Sequence, residues 1–336
     1  MKRHSIGRIL AALLPSLLLS SAGHAADVQE RNLKFGYGTA ETHPLGRGVS
    51  KFVQLVATKS DGKIKIKAYP STQLGSETQM ISATQGGVQD LIGTSTAPLV
   101  GLVKEFAVFD LPFLFSTEKQ ADAVLDSPIG QSLLARLSDK NLVGLCFFEN
   151  GFRQLTNSRR PVVTAQDLKG LKIRTMQNPV YIETFNRLGA NAVPMPWPEV
   201  FTALESGALD AEENPYSIIY VNKLDEVQKY ISATKHAYSP WPIAVSKKLW
   251  SALSPDEQKI FLDSCNEAKL FQRQLAREED VKIIAMLKEK GMVINELAPG
   301  EIDRIKQQLQ PVYDRYVPSI GPDLVRQVQE LINSVN

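Results

Sequence analysis

The chain has 336 residues, of which 43% are hydrophobic and 22% are charged, and its formal net charge is +2. These proportions are ordinary for a folded globular protein, and the length favours two domains over one. A chain this long can bury a sizeable core without structural staples. A net charge so close to zero gives no reason to expect a nucleic-acid partner.

The N-terminus predicts a secretory signal peptide. The basic start MKRHSIGR leads into the apolar run ILAALLPSLLLSSA, and the small-residue sequence GHA ends at Ala25. The apolar run is shorter than the ~20 apolar residues that a membrane-spanning helix needs. We therefore expect cleavage between Ala25 and Ala26, which removes residues 1–25. The sequence predicts a soluble exported protein, most simply a periplasmic one.

The region after the signal peptide alternates between strand and helix patterns. A helix is predicted over residues 46–60 from the helical spacing of its apolar residues, and another is predicted to begin near Ser76. Strands are predicted at LKFGYG (33–38), KIKIKAY (63–69), DLIGTS (90–95) and LVGLCFF (142–148), the last one followed by a turn at ENG. Strands that alternate with helices are typical of parallel sheets.

The same alternation starts again after residue 150. Strands are predicted at residues 171–176, 191–195 and 208–214, and helices at 179–189 and 197–207. KYISATKH (229–236) then crosses back. We expect an α/β fold with two domains and a hinge between them. The predicted limits are residues 26–150 plus about 237–279 for domain I, and residues 151–236 plus about 280–336 for domain II.

The last third of the chain is nearly all helical in pattern. Ser254, Pro255 and Glu257 form a strong helix start, with a capping serine, a proline at the first helical position and a glutamate three residues after the cap. The periodic pattern continues to about Lys290 and stops at Gly291. Such a helix of roughly 35 residues is ~50 Å long at 1.5 Å per residue. We therefore expect it to lie across both domains.

The chain has two cysteines, Cys146 and Cys265. Export permits a disulfide bond between them. However, Cys146 lies within the apolar run LVGLCFF, and Cys265 lies on a predicted helix. This context favours two buried free thiols.

No motif for catalysis, metal binding or cofactor binding is apparent. Outside the signal region the histidines are His43 and His236, which do not have metal-ligand spacing. A Gly-x-Ser-x-Gly elbow, a phosphate loop and a paired-cysteine motif are all missing from the sequence. We therefore predict a protein that is not an enzyme and that needs neither a metal nor a cofactor.

Polar residues at predicted strand ends indicate a ligand site. Asn150 and Arg153 follow one predicted strand, Arg174 ends a second one, and Asn214 ends a third. Ligands of open α/β sheets collect beyond the carboxyl ends of the strands. A guanidinium holds a carboxylate through two parallel hydrogen bonds, so we expect a carboxylate site in the cleft. Further candidates at strand ends are Ser95, Thr96 and Met176.

Several long segments resemble the solute-binding proteins of TRAP transporters, the C4-dicarboxylate-binding (DctP) family. The segments are LKGLKIRTMQNP, GANAVPMPWPEVFTALESGALDAEENP, LDEVQKY, STQLGSETQMISATQGGVQDL and VFDLPFLF. They extend over nearly the whole mature chain. The resemblance implies a two-domain cleft that closes over a small carboxylate. It also implies delivery to a pair of membrane permease subunits driven by an ion gradient, without ATP hydrolysis.

The resemblance also implies roles for individual residues. The family's arginine that clamps the ligand carboxylate falls on Arg174, and its second pocket arginine falls on Arg153. The pocket asparagine falls on Asn214, and the aromatic residue that packs on the ligand falls on Trp197. This sequence reads DAEENP where many relatives read Asp-Gly-Gln-Glu-Asn-Pro.

Three side chains bear on which carboxylate is bound. Glu77 repels a second carboxylate but accepts hydrogen bonds from sugar hydroxyls, and Trp197 can cover a sugar ring. His43, in the loop after the first strand, can donate to a hydroxyl or a carboxylate. Each also has a purely structural interpretation, as a helix-start glutamate, a core aromatic and a loop histidine. Tyr238 and Trp241 rank below these candidates.

These residues favour a hexuronate such as glucuronate or galacturonate. The alternative within the same transporter type is a C4-dicarboxylate, with Arg153 holding the second carboxylate. Two rival classes are a secreted enzyme that acts on a sugar acid and a binding protein that serves a receptor instead of a permease.

Overall fold

A nine-stranded mixed sheet forms the centre of the computed structural model, which describes residues 28–335. The predicted signal peptide therefore lies outside the described residues. The strands are β1 (Arg31–Tyr37), β2 (Ile64–Tyr69), β3 (Leu91–Gly93), β4 (Leu142–Asn157), β5 (Lys172–Thr175), β6 (Asn191–Pro194), β7 (Ala211–Asn214), β8 (Tyr230–Ser246) and β9 (Val293–Asn295).

Helices pack on both faces of this sheet. They are α1 (Pro44–Lys59), α2 (Glu77–Gln85), α3 (Glu118–Leu125), α4 (Pro128–Ala135), α5 (Pro179–Arg187), α6 (Val200–Glu205), α7 (Tyr216–Val221), α8 (Lys247–Ala252), α9 (Pro255–Glu289), α10 (Glu301–Gln308), α11 (Gln310–Ile320) and α12 (Pro322–Ser334). Short 3-10 helices lie at Ala97–Leu99, Lys104–Asp110, Arg136–Lys140, Ala165–Leu168, Trp197–Glu199 and Leu224–Glu226. No helix within residues 28–335 combines the length and the apolar character that crossing a bilayer requires.

The strand order is β2-β1-β3-β8-β4-β7-β5-β6, with β9 paired to β8. β1 pairs in parallel with β2 and β3, and β5 pairs in parallel with β6 and β7. The predicted parallel arrangement is confirmed in each of these groups. β4 and β8 run antiparallel to each other because they cross between the two groups in opposite directions. Each long strand therefore contributes one end to each half of the sheet.

The turn predicted at ENG is wrong, because β4 continues through it. The pairing register with β8 shifts between Glu149 and Gly151, and Gly151 has a φ of 106°. This is a β-bulge, in which glycine adopts a backbone conformation that other residues avoid. A bulge bends a strand, and this one lies in the middle of the crossing, next to Asn150 and Arg153.

The long helix predicted in the last third of the chain is confirmed as α9, which has 35 residues. Ser254 and Glu257 form the reciprocal cap that the sequence indicates. Phe261 in the first half packs on Phe52 of α1, with ring centroids 6.1 Å apart. In the second half, Leu287 lies in an apolar cluster with Ile219 of α7. The helix therefore contacts both halves of the molecule.

The expectation of two free thiols is wrong, because Cys146 and Cys265 form a disulfide bond. Cys146 lies on β4 and Cys265 lies on α9, and their Cα atoms are 6.0 Å apart. The residues are 119 positions apart in sequence, so local context could not show that the helix packs on this strand. The bond ties α9 to one of the two crossing strands.

The C-terminal helices contact segments of both predicted domains. In α11, the Tyr313 hydroxyl donates to the Pro112 carbonyl at 2.8 Å, and the Tyr316 hydroxyl donates to the Pro179 carbonyl at 3.0 Å. In the apolar core, Val325 and Val328 of α12 belong to the cluster that also contains residues of α3 and α4. The domain limits given above stay a prediction.

Candidate ligand-binding site

A cavity lies where the carboxyl ends of β1, β3, β5 and β7 meet the middle of β4 and β8. Its lining consists of Gly38, Thr39, Glu77, Ser95, Asn150, Arg153, Arg174, Met176, Trp197, Asn214, Ile218 and Trp241. Eight of the ten residues predicted from the sequence are in this set, and His43 and Thr96 are not. The position follows from the sheet, because strand ends of both halves face each other across the two crossing strands.

Arg174 is a buried cation at the cavity. It precedes the last residue of β5 and is 3% exposed. Its Nε donates to the Met195 carbonyl at 3.0 Å, and its guanidinium lies over the Trp197 ring, 5.6 Å from the centroid. Within residues 28–335, no carboxylate forms an ion pair with it. Burial lowers the pKa of Arg174, which marks the cost of keeping this charge away from water.

Arg153, by contrast, pairs with a carboxylate of the protein. Both its Nε and its Nη2 contact the Glu213 carboxylate, and Nη2 also donates to Asn214 Oδ1 at 3.1 Å. His236 Nε2 lies 3.0 Å from the same Glu213 carboxylate. Burial by itself would raise the pKa of Glu213, but the charge of Arg153 and the contact with His236 lower it to about 2. The charge of Arg153 is therefore already offset by a carboxylate of the protein.

One of the two carboxylate oxygens of Glu77 accepts hydrogen bonds from the described part of the protein. It is the first residue of α2, directly after the capping Ser76. Its Oε1 accepts hydrogen bonds from the Thr94 hydroxyl at 2.9 Å, the Ser95 amide at 3.2 Å and the Ser95 hydroxyl at 3.0 Å. Its Oε2 accepts none from the residues that the structure describes. That oxygen is available as a hydrogen-bond acceptor at the cavity.

Two other lining residues carry buried polar atoms that have no hydrogen-bond partner in the described part of the chain. They are Oδ1 of Asn150 and Oγ1 of Thr39. A buried polar atom left unpaired costs about 1–3 kcal/mol. A polar ligand in the cavity can remove this cost by bonding to them.

His43 and Thr96 lie outside the cavity lining. The Nδ1 atom of His43 accepts a hydrogen bond from the Leu45 amide at 3.1 Å and so caps α1. Burial lowers the pKa of His43 to about 3, which keeps its ring neutral. Thr96 is buried directly before the short helix Ala97–Leu99. Within residues 28–335, no cluster of His, Cys, Asp or Glu has the composition to hold a metal ion.

Four lining residues are not among the ten predicted ones. Gly38, Thr39 and Ile218 are not candidates from the sequence, and Trp241 is a candidate of lower rank. Gly38 and Thr39 follow β1, so the strand-end rule that selected Ser95 would have found them. Trp241 lies on β8, and its ring occupies the space beside Gly93, where a Cβ atom would be 2.0 Å from the ring. Ile218 lies on α7 and has no polar signal that could have indicated it.

Residues 35–319 match the family model described as DctP: Bacterial extracellular solute-binding protein, family 7. The chain belongs to this family of TRAP transporter solute-binding proteins. The resemblance found in the sequence motifs is therefore confirmed. Members of the DctP family are periplasmic binding proteins, and this is the class to which the chain is assigned.

Individual relatives support the assignment. The chain is 38% identical to the 2,3-diketo-L-gulonate-binding periplasmic protein YiaO of Escherichia coli, over 93% of this chain and 95% of that one. The sugar acid binding protein DctPAm from Advenella mimigardefordensis, in complex with galactonate, is 39% identical, with a TM-score of 0.90 over 92% of this chain and all of that one. A TRAP periplasmic solute-binding protein from Polaromonas, bound to D-erythronate, is 37% identical, with a TM-score of 0.87 over 89% of this chain and 98% of that one. The predicted fold class, a two-domain α/β solute-binding protein, is confirmed.

Proposed function

We propose that this protein captures a sugar-acid monocarboxylate in the periplasm and delivers it to a TRAP permease. The observation that carries the proposal is Arg174, a buried guanidinium at the cavity without an acidic partner among the described residues. A ligand carboxylate supplies the missing negative charge and fits the guanidinium through two parallel hydrogen bonds.

The surroundings of Arg153 argue against a dicarboxylate. A second ligand carboxylate would need its own cation, and Glu213 already offsets the charge of Arg153. The Glu77 carboxylate also lines the cavity and repels a second negative charge. A buried anion without a partner costs several kcal/mol. We therefore infer that a ligand with one carboxylate is favoured over the alternative, a C4-dicarboxylate.

The other polar atoms favour a ligand that carries hydroxyl groups. Glu77 Oε2 and Asn150 Oδ1 accept hydrogen bonds, and the Thr39 hydroxyl can both donate and accept. Sugar acids of four to six carbons offer several hydroxyls along the chain. The hexuronates glucuronate and galacturonate remain our candidates within this class, together with the aldonate galactonate. The relatives with bound or named sugar acids support this choice of class.

The remaining lining residues have supporting roles in this proposal. Trp197 packs on the Arg174 guanidinium and so fixes the direction in which its free nitrogens point. Asn214 is held between Arg153 and Glu212. Met176 and Ser95 complete the wall at the strand ends. Closure of the two halves then excludes water and strengthens each charged hydrogen bond.

This function requires membrane permease subunits as partners and leaves the bound acid chemically unchanged. We infer that the closed, loaded protein docks on a pair of membrane permease subunits that use an ion gradient. Incubation with D-glucuronate or D-galactonate should leave the acid chemically unchanged, as judged by mass spectrometry. Consumption of the acid by purified protein would instead support the rival hypothesis of a secreted enzyme.

A ligand panel tests the proposal directly. Thermal unfolding is measured with D-galactonate, D-glucuronate, D-galacturonate, D-erythronate and succinate, and hits are confirmed by calorimetry. A ligand at a hundred times its dissociation constant adds about 2.7 kcal/mol to the free energy of unfolding, which raises the midpoint clearly. Arg174→Ala should lose this ligand-induced stabilisation. Arg326→Ala, which removes an exposed arginine of α12, is its matched control. Tighter binding of succinate than of every sugar acid would overturn the monocarboxylate assignment.

A further inference from the structure

Glu212 is a buried carboxylate next to Arg174. It lies on β7, is 0% exposed, and does not line the cavity. Ile173 of β5 pairs in parallel with Ala211 of β7, so the next residues along, Arg174 and Glu212, are neighbours on adjacent strands. Side chains at neighbouring positions leave the same face of a sheet. The cationic ligand clamp therefore has an acidic residue beside it.

No lysine, arginine or histidine of residues 28–335 forms an ion pair with Glu212. Its Oε1 accepts from the Thr156 hydroxyl at 3.0 Å, and its Oε2 accepts from the Asn214 side-chain amide. The charged groups that face it are Arg153 on β4, Arg174 on β5 and its neighbour Glu213 on β7. Glu213 has its own cation in Arg153, whereas the hydrogen-bond donors that Glu212 has among the described residues are neutral.

The hydrogen bonds around Glu212 suit both of its protonation states. The Thr156 hydroxyl lies within reach of Glu212 Oε1 and also of Gln228 Oε1, at 3.1 Å. When Glu212 is ionised, the Thr156 proton is donated to it. When Glu212 is protonated, its new O–H donates to Thr156 Oγ1, and the Thr156 proton turns to Gln228. Either state therefore leaves the carboxyl oxygen and the hydroxyl paired.

A ligand carboxylate changes the charge that Glu212 experiences. In the unliganded protein, the charge of Glu213 and, to a smaller extent, that of an ionised Glu212 partly offset the positive charge of Arg174. When a ligand carboxylate pairs with Arg174, its negative charge offsets that positive charge, and an ionised Glu212 is then a second carboxylate beside one cation. Two carboxylates close to one cation in a buried site favour protonation of one of them.

We propose, on the basis of the function proposed for the Arg174 cavity, that Glu212 is an exchangeable counter-ion and that ligand capture is coupled to proton uptake. Solvent supplies the proton, which adds to the Glu212 carboxylate as the ligand carboxylate takes its place beside Arg174. The net charge of the site is then the same before and after binding.

The electrostatics of the unliganded site agree with this exchange. Burial raises the pKa of Glu212 to about 7, and Glu213 acts in the same direction, against the Asn214 hydrogen bond and the charges of Arg174 and Arg153. Because the liganded state binds the proton more tightly, affinity for a carboxylate falls as the pH rises above neutrality. The limit is up to about tenfold per pH unit for one linked proton.

Calorimetry with D-galactonate, or with D-glucuronate if the panel selects it, tests the coupling. Titrations at about pH 8 in two buffers of different ionisation enthalpy report the protons taken up per ligand. The wild-type protein should take up a large fraction of one proton. Glu212→Gln keeps the shape and the acceptor for Asn214, and it should bind the acid with no uptake and with an affinity that no longer depends on pH.

A second buried carboxyl provides the control. Burial raises the pKa of Asp110 to about 7 as well, but the charges that act on this carboxyl are those of Arg153 and Glu213 and not that of Arg174. Asp110 accepts a hydrogen bond from the Asn178 side-chain amide at 2.8 Å. Asp110→Asn should keep the proton uptake. Wild-type binding without uptake, or uptake that survives Glu212→Gln, would overturn the inference and leave the proposed function intact. Absence of binding to every acid in the panel would overturn the proposed function itself.

Discussion

The two arginines at the cavity are equally buried but differ in what surrounds them. Arg153 lies on a crossing strand, and its charge is offset by Glu213, which His236 also contacts. Arg174 lies at the end of a short strand, and its close partners within residues 28–335 are a carbonyl and an aromatic ring. A buried cation with an acidic partner belongs to the scaffold, whereas a buried cation without one is stabilised when an anion arrives.

Removal of Arg153 should have the largest effect on stability. Arg153→Ala leaves Glu213 ionised and buried without its cation, which costs about 3–5 kcal/mol of the free energy of unfolding. Urea denaturation near neutral pH measures this loss. The double variant Arg153→Met, Glu213→Gln should recover part of it, because neither charge remains. A loss in Arg174→Ala as large as that in Arg153→Ala would break the distinction between the two arginines.

Removal of Arg174 should abolish ligand binding and leave the free energy of unfolding nearly unchanged. Arg174→Ala loses the charged pair with the ligand, worth ~3 kcal/mol or more in a desolvated site, so affinity should fall at least about a hundredfold. Arg174→Lys should also bind poorly, because a point charge cannot reproduce two parallel hydrogen bonds. Calorimetry with the best acid of the panel measures both variants. An unchanged affinity in Arg174→Ala would remove the central observation of the proposed function.

The pH dependence of the free energy of unfolding tests the pairing of Glu213 with Arg153, which distinguishes Arg153 from Arg174. The pKa of Glu213 is lowered from an ordinary 4.5 to about 2. A carboxyl with a lowered pKa stabilises the fold above its unfolded pKa, and this contribution is lost as the pH falls through the folded pKa. At about 1.4 kcal/mol per unit, the contribution is on the order of 3 kcal/mol. The destabilisation caused by Glu213→Gln should therefore shrink between about pH 4.5 and pH 2.

Acid titrations of wild type and Glu213→Gln, followed by unfolding at each pH, measure this convergence. Glu183→Gln is a suitable control, because it removes a carboxylate that pairs with the exposed Arg187 and Arg315. Surface pairs contribute little, so its stability curve should follow that of the wild type. Parallel curves for wild type and Glu213→Gln over the whole range would show that Glu213 is not the group that titrates.

The sequence predicted where the candidate residues lie better than how they are paired. Strand ends can be recognised from periodicity, and the fold rule then gathers Arg153, Arg174 and Asn214 at one cavity. The rule treats both arginines alike. The Glu213 partner of Arg153 is 60 residues away in sequence, and no local pattern distinguishes it from the other acidic residues of the chain. Only the register between β4 and β7 decides which guanidinium is neutralised.

Other differences have the same origin in tertiary contacts. The ENG segment has turn-forming residues, yet pairing with β8 keeps it in a bulged strand. The disulfide depends on the packing of α9 against β4, which no local window contains. His43 stands next to a strand end, as several lining residues do, but its ring turns back to cap α1. Long periodic elements such as α9 were predictable because their signal is local.

Replacement of Glu77 should have the smallest effect on affinity. It should also distinguish sugar acids from a dicarboxylate most directly. Glu77→Gln can keep the Oε1 acceptor for Thr94 and Ser95, but it replaces the free oxygen by an amide donor. Affinity for a sugar acid should fall about five- to tenfold, or ~1 kcal/mol, because a charge-assisted hydrogen bond to a ligand hydroxyl is lost. Affinity for succinate should rise or stay level, because a repulsive charge is removed. Glu118→Gln, which alters the first residue of α3 outside the cavity lining, controls for the general effect of a helix-start glutamate. The opposite order, with succinate weakened more than the sugar acid, would mean that Glu77 does not select for hydroxyls.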